Sequence, residues 1–126
     1  MDGVPVIIAS TSSFDVEATV IWGDDDGPDC LGDAGIDSIG YNLGSDGTCD
    51  LDQPTDITGT DPELGGFLDN GGSTHTRLPD AGSPLVDAIP AGTDDLCDGT
   101  YGTDQRGIER PQGSGCDIGA VEREVD

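Results

Sequence analysis

Four cysteines, Cys30, Cys49, Cys97 and Cys116, constrain this chain more than any other feature. They form two intervals of equal length, each Cys-x18-Cys, in a sequence with little else to hold a fold together. Only 33% of the 126 residues are hydrophobic and 4% aromatic, while glycine alone contributes 21. So small and polar a chain builds a thin core, and its loops must be tied by other means. No Cys-x-x-Cys exists and His75 is the sole histidine, so a structural zinc site lacks ligands at workable spacing. Two disulfides formed in an oxidising compartment are the favoured reading, with free buried thiols as the alternative. Four cysteines leave three connectivities open.

The charge is equally one-sided. The formal net charge is -23, and the only cations are four arginines. A nucleic-acid backbone or an anionic membrane surface would find too few cations to pair with, so composition excludes both as partners. Three readings of the acid remain: a solvated coat, as in a salt-adapted host, calcium-binding loops, or plain disorder. Calcium takes about six to eight oxygens. Asp24, Asp25 and Asp26, and further on Asp46, Asp50 and Asp52, are the candidate ligands. Neither stretch has the spacing of an EF-hand loop, so the solvated face is preferred. No cofactor is required, and calcium is the one left open.

Short β-branched runs punctuate the chain. Val4-Pro5-Val6-Ile7-Ile8 and Ala18-Thr19-Val20-Ile21-Trp22 read as strands, and residues 36–43 and 118–122 are further candidates. Trp22 and Tyr41 read as packing residues. Asp61-Pro62-Glu63 offers an N-cap residue and a first-turn proline, which predicts a single helical turn. From Gly65 to Gly115 the chain reads as one long loop region, with a positive-φ turn at Asn70-Gly71-Gly72. His75 has no partner nearby in sequence and reads as structural. No helix longer than two turns is expected. Nothing basic precedes the first apolar run, so it is not a signal peptide, and no run approaches the ~20 apolar residues of a membrane span. Met1 therefore reads as an added or internal start, with an upstream part missing.

Several motifs follow one another in a set order. They are Gly40-Tyr41-Asn42-Leu43 with Ser45-Asp46-Gly47, and Asp61-Pro62-Glu63-Leu64-Gly65 with Asp69-Asn70-Gly71-Gly72-Ser73-Thr74-His75-Thr76. Then come Gly82-Ser83-Pro84-Leu85-Val86-Asp87, Thr103-Asp104-Gln105-Arg106-Gly107, Arg110-Pro111 and Cys116-Asp117-Ile118-Gly119-Ala120-Val121-Glu122. Over roughly residues 28–123 the set resembles the C-terminal module of secreted bacterial right-handed parallel β-helix proteins, the choice-of-anchor Q domain type with a pectin-lyase-like fold. The resemblance implies an all-β chain. Residues 1–57 would form terminal rungs of the β-helix, and 58–126 an irregular, disulfide-stapled, Gly/Pro/Asp-rich cap. The last rung of such a helix exposes unpaired N–H and C=O groups that recruit other chains unless covered.

On that reading the cysteines pair in order, Cys30 with Cys49 and Cys97 with Cys116. Each pair brackets one motif block and closes a loop without a core, worth about 3 kcal/mol in the chain-entropy treatment. Arg106 and Arg110 stand among Asp87, Asp104, Asp117 and Glu122, and bidentate pairing among them would order the cap. This charge network is structural; no catalytic residue is assigned.

The expected function is therefore non-enzymatic: an end-cap and spacer in a larger exported or cell-surface protein of adhesin-like type. Its partners would be the upstream rungs of the same protein, and extracellular polysaccharide or the cell surface. It would be extracellular or surface-held, without inserting in a membrane. Two alternatives stand beside it. One is a fragment of a polysaccharide lyase or hydrolase whose catalytic rungs are missing; the other is a calcium-dependent glycan-binding module.

Overall fold

The structure is a computed structural model that describes residues 14–23, 27–30 and 36–124. The described residues are all β, with nine short strands and no helix. The chain divides into two compact units, Met1–Asp61 and Pro62–Asp126. Both disulfides lie within a unit: Cys30–Cys49 in the first and Cys97–Cys116 in the second. The expected strand at residues 4–8 lies outside the described residues.

Unit one is built from parallel ladders. Strand β1 (Phe14–Glu17) pairs with β3 (Ile36–Gly40), Phe14 facing Ile36. Strand β2 (Val20–Ile21) pairs with β4 (Leu43–Gly44), which pairs in turn with β5 (Ile57–Thr58). The candidate strand at 36–43 is thus two strands. Between them Tyr41 takes a left-handed φ of 56°, and Ala18 does the same, at 52°, between β1 and β2. The two corners stack: Ala18 N–H donates to the Gly40 carbonyl at 3.1 Å, and Leu43 N–H to that of Thr19 at 2.9 Å. Gly40, at φ 121°, suits its corner because a Cβ there would sit 2.7 Å from the Thr55 hydroxyl. Ile21 packs with the Cys30–Cys49 bridge, and Ile36 and Leu51 lie against that cluster.

Unit two is antiparallel. Strand β6 (Leu64–Leu68) pairs with β7 (Thr76–Pro79) across an irregularity between Leu64 and Phe67. Strand β8 (Ile89–Pro90) pairs with β9 (Gly115–Cys116). The β6–β7 hairpin and the β8–β9 pair interrupt the loop expected from 65 to 115. Their strands are too short and glycine-rich for a period-two pattern to show in sequence. The turn at Asn70-Gly71-Gly72 carries φ of 104° and 78° at its glycines. No helical turn forms at Asp61-Pro62-Glu63: Glu63 has a φ of 53°, and its carbonyl accepts the Asp80 amide at 2.9 Å. Leu85, Ile89, Ile118 and the Cys97–Cys116 bridge supply the buried apolar side chains.

Candidate functional site

The densest convergence of charged groups is in unit two, around residues 104–123. The strand expected at 118–122 does not form, and the reason is chemical. Side chains take up the backbone groups that a ladder would use. Asp117 N–H donates to Glu122 Oε1 at 3.0 Å, Glu122 N–H to Asp104 Oδ2 at 2.8 Å, and Arg123 N–H to Asp117 Oδ2 at 2.7 Å. Arginines cover the carbonyls. Arg110 donates to those of Asp117 and Gly119, and Arg106 to that of Glu122 at 2.6 Å.

Asp104 organises its own turn. Oδ1 accepts the amides of Arg106 and Ile108, at 2.7 and 3.1 Å, while Oδ2 accepts Arg106 Nε at 3.0 Å. The remaining Arg106 nitrogen, Nη1, reaches the Asn70 carbonyl at 3.0 Å and so ties this turn to the β6–β7 connection. Its backbone also passes close to Gly72, where a Cβ would sit 3.0 Å from Arg106 Cα. Arg110 pairs with Glu122 Oε1 at 3.0 Å, and Glu122 Oε2 accepts the Gln112 amide. Asp117 Oδ1 accepts the Asp87 amide at 2.8 Å, and Asp87 in turn accepts that of Gly115. Neither ion pair is the two-oxygen fork expected from sequence. Arg106 directs two nitrogens at a single Asp104 oxygen, and Arg110 gives Nη1 to Glu122 while its Nη2 donates to the Gly119 carbonyl.

Burial sets the electrostatics. Glu122 is 0% exposed and Asp117 1%. Burial pushes both carboxyls above their ordinary range, and their mutual repulsion adds to it for Glu122. Backbone amides and Arg110 oppose the rise without cancelling it. Asp104 goes the other way: burial works against its charge, but the amides of Glu122, Ile108 and Arg106 outweigh it and hold the carboxyl low. The arginine side chains of these two ion pairs are 4% and 12% exposed. Such groups tie chain segments together.

Unit one has a neutral counterpart that sequence reasoning missed. Asn42, wholly buried, accepts Thr19 N–H and donates to the Val16 carbonyl, to Ser38 Oγ and to Asp56 Oδ1, at 3.0–3.2 Å. Asp56 also accepts the Asn42 amide and the Gln53 amide. One asparagine thus stitches three successive passes of the chain. The signal available in sequence was its place after a glycine in Gly40-Tyr41-Asn42-Leu43.

The proposed calcium ligands are dispersed in role. Asp46 is turned to local bonding: Oδ2 accepts Asp29 N–H, and Oδ1 accepts the amide and hydroxyl of Thr48. Burial would raise its pKa, but these bonds outweigh burial and hold it below the usual range. Asp50 and Asp52 are exposed. Asp24, Asp25 and Asp26 lie outside the described residues. Among the described residues no group of three or more His, Cys, Asp or Glu side chains is arranged around a metal position. His75 is exposed and lies against Phe67, ring centroids 5.5 Å apart. Trp22 and Tyr41 are half-buried. A groove lined by Phe14, Val16, Val20 and Trp22 runs along β1 and β2, with Asp15 and Glu17 as its ionisable residues.

No described helix is long and apolar enough to cross a membrane. No family model matches the chain, and no curated protein or solved structure matches it.

Proposed function

We propose that this chain is a non-catalytic terminal module of a larger exported β-helix protein, in which unit one continues a parallel solenoid and unit two closes it. The observation that supports the reading most is the stack β2–β4–β5. Three parallel strands follow one another in chain order, with the corners between them bonded through Asn42 and Asp56. After Asp61 the pairing becomes antiparallel and short, as suits a segment that ends a ladder rather than extends it. Two disulfides suit an oxidising, extracellular or surface setting. The acidic surface suits a spacer that stays soluble beside a cell surface or its polysaccharide.

Loosening unit two tests this. The parent chain should remain monomeric by light scattering as concentration rises. On this reading a Cys97→Ser, Cys116→Ser double variant should self-associate, as a ladder without a working cap does. A double variant that loses amide protection in unit two yet stays monomeric would show that the unit is not a cap. Cleavage of a pectin- or alginate-type polymer by the parent would overturn the non-catalytic reading.

A further inference from the structure

The sequence contains one Asp-Pro dipeptide, Asp61-Pro62, and the chain passes from unit one to unit two at that bond. An Asp-Pro bond has its own chemistry. At other Asp-X bonds the following amide nitrogen can attack the side chain, but proline has no N–H, so that route is closed. What remains is attack by the aspartate on its own carbonyl, and the proline nitrogen is a more basic leaving group than an ordinary amide nitrogen. The structure places Asp61 exposed and Pro62 fully buried. Beyond the bond the chain is fastened into unit two. Ser83 Oγ donates to the Pro62 carbonyl at 2.6 Å, and Asp80 N–H to that of Glu63. Each unit keeps its own disulfide, and neither bridge spans Asp61-Pro62.

We propose that Asp61–Pro62 is a self-cleavage site, at which mild acid separates the two units as intact, individually stapled pieces. A carboxyl oxygen of Asp61 forms a bond to the Asp61 carbonyl carbon, and the bond from that carbon to the Pro62 nitrogen breaks. The electron pair stays on the nitrogen, which takes up the proton of the carboxylic acid. Asp61 is left as a five-membered cyclic anhydride, which one water opens to a C-terminal aspartic acid. The net reaction is hydrolysis of one peptide bond, with water as the only co-reactant. This inference is independent of the capping role.

The test is incubation of the full chain at about pH 4, near the ordinary aspartate pKa, followed by mass analysis without reductant. Two products are expected, residues 1–61 and 62–126, each with its disulfide and its β circular-dichroism signal. The rate should not change with protein concentration or protease inhibitors, because the nucleophile is intramolecular. Asp61→Glu, which keeps the charge but needs a larger ring, should be cut at least about tenfold more slowly, and Asp61→Asn more slowly still. Pro62→Ala should resist as well, but Pro62 is buried, so the Asp61 variants decide. The proposal fails if the chain stays whole while a short peptide spanning residues 58–66 is half cut. It also fails if Asp61→Asn is cut as fast as the parent, or if the products unfold on separation.

Discussion

Unit one contains no lysine, arginine or histidine, whereas unit two contains all four arginines and the single histidine. Residues 1–61 hold fourteen carboxylates and no cation, and residues 62–126 hold thirteen carboxylates and four arginines, which together make the net charge of -23. The two units meet the same problem, a chain too polar to rely on a core, with different chemistry. Unit one uses repetition: parallel strands in register, with a neutral amide bonding passes of the chain at the corners. Unit two has little ladder and ties its irregular segments with guanidinium groups. Each arginine donates to a main-chain carbonyl: Arg77 to Gly65, Arg106 to Asn70 and Glu122, Arg110 to Asp117 and Gly119, and Arg123 to Pro79. Where strands stack, an amide and a carboxylate bond the passes; where they do not, one cation serves up to two carbonyls.

The comparison breaks most directly at Glu122. Glu122→Ala leaves Arg110 and the Asp117 amide without their partner in a buried site, and such losses cost about 3–5 kcal/mol. Hydrogen exchange should show lost protection in unit two with unit one unchanged; equal losses in both would refute the separation. The disulfides come next. Removing either pair should cost about 3 kcal/mol, since each closes a loop of similar length. The damage should stay in the unit concerned, as judged by limited proteolysis of the two double-serine variants.

Asn42→Ala sharpens the neutral half of the comparison. It leaves the Thr19 amide and the Val16 carbonyl without their Asn42 partner, at about 1–3 kcal/mol. Hydrogen exchange should show protection lost in unit one and kept in unit two.

The smallest effect is in pH. Asp117 and Glu122 have raised pKa values in the folded state, so their contribution is full below the ordinary carboxylate pKa and is lost as pH rises through the raised value. Asp104 is lowered, so its contribution is present above the ordinary value and is lost as pH falls through the lowered one. Unit two should therefore be most stable in mild acid and weaken on both sides. In high salt, which screens general repulsion, short melts from pH 7 to 3 should show this maximum for the parent. Glu122→Gln should reduce the alkaline-side loss, and an unchanged profile would remove Glu122 from the account.

Part of this was legible in sequence. Cysteines at equal spacing bracket regions without apolar runs, and arginines are so scarce that two among carboxylates mark a point of attachment. Asn70-Gly71-Gly72 states its turn through the residue types that tolerate positive φ. Other features depend on distant partners. Residues 118–122 carry a strand-like composition, yet the Glu122 amide is claimed by Asp104, the Glu122 carbonyl by Arg106 and the Gly119 carbonyl by Arg110, each nine or more residues away. Asn42 looks like any turn asparagine until Val16, Thr19 and Asp56 are brought around it. The β6–β7 hairpin was hidden by Gly65 and Gly66, which weaken any strand pattern; Gly65 also leaves room for the approach of the Leu78 carbonyl.

The use of every arginine as an internal tie has an outward consequence for digestion. Trypsin must draw a basic side chain into its specificity pocket, and residues 1–61 offer none. In residues 62–126 the Arg106 side chain is almost wholly enclosed, and the Arg110 bond is followed by proline. A protease that reads cations is thereby left Arg77 and Arg123, both half-buried, while proteases that cut at exposed Phe67, Leu68 or Tyr101 find their marks.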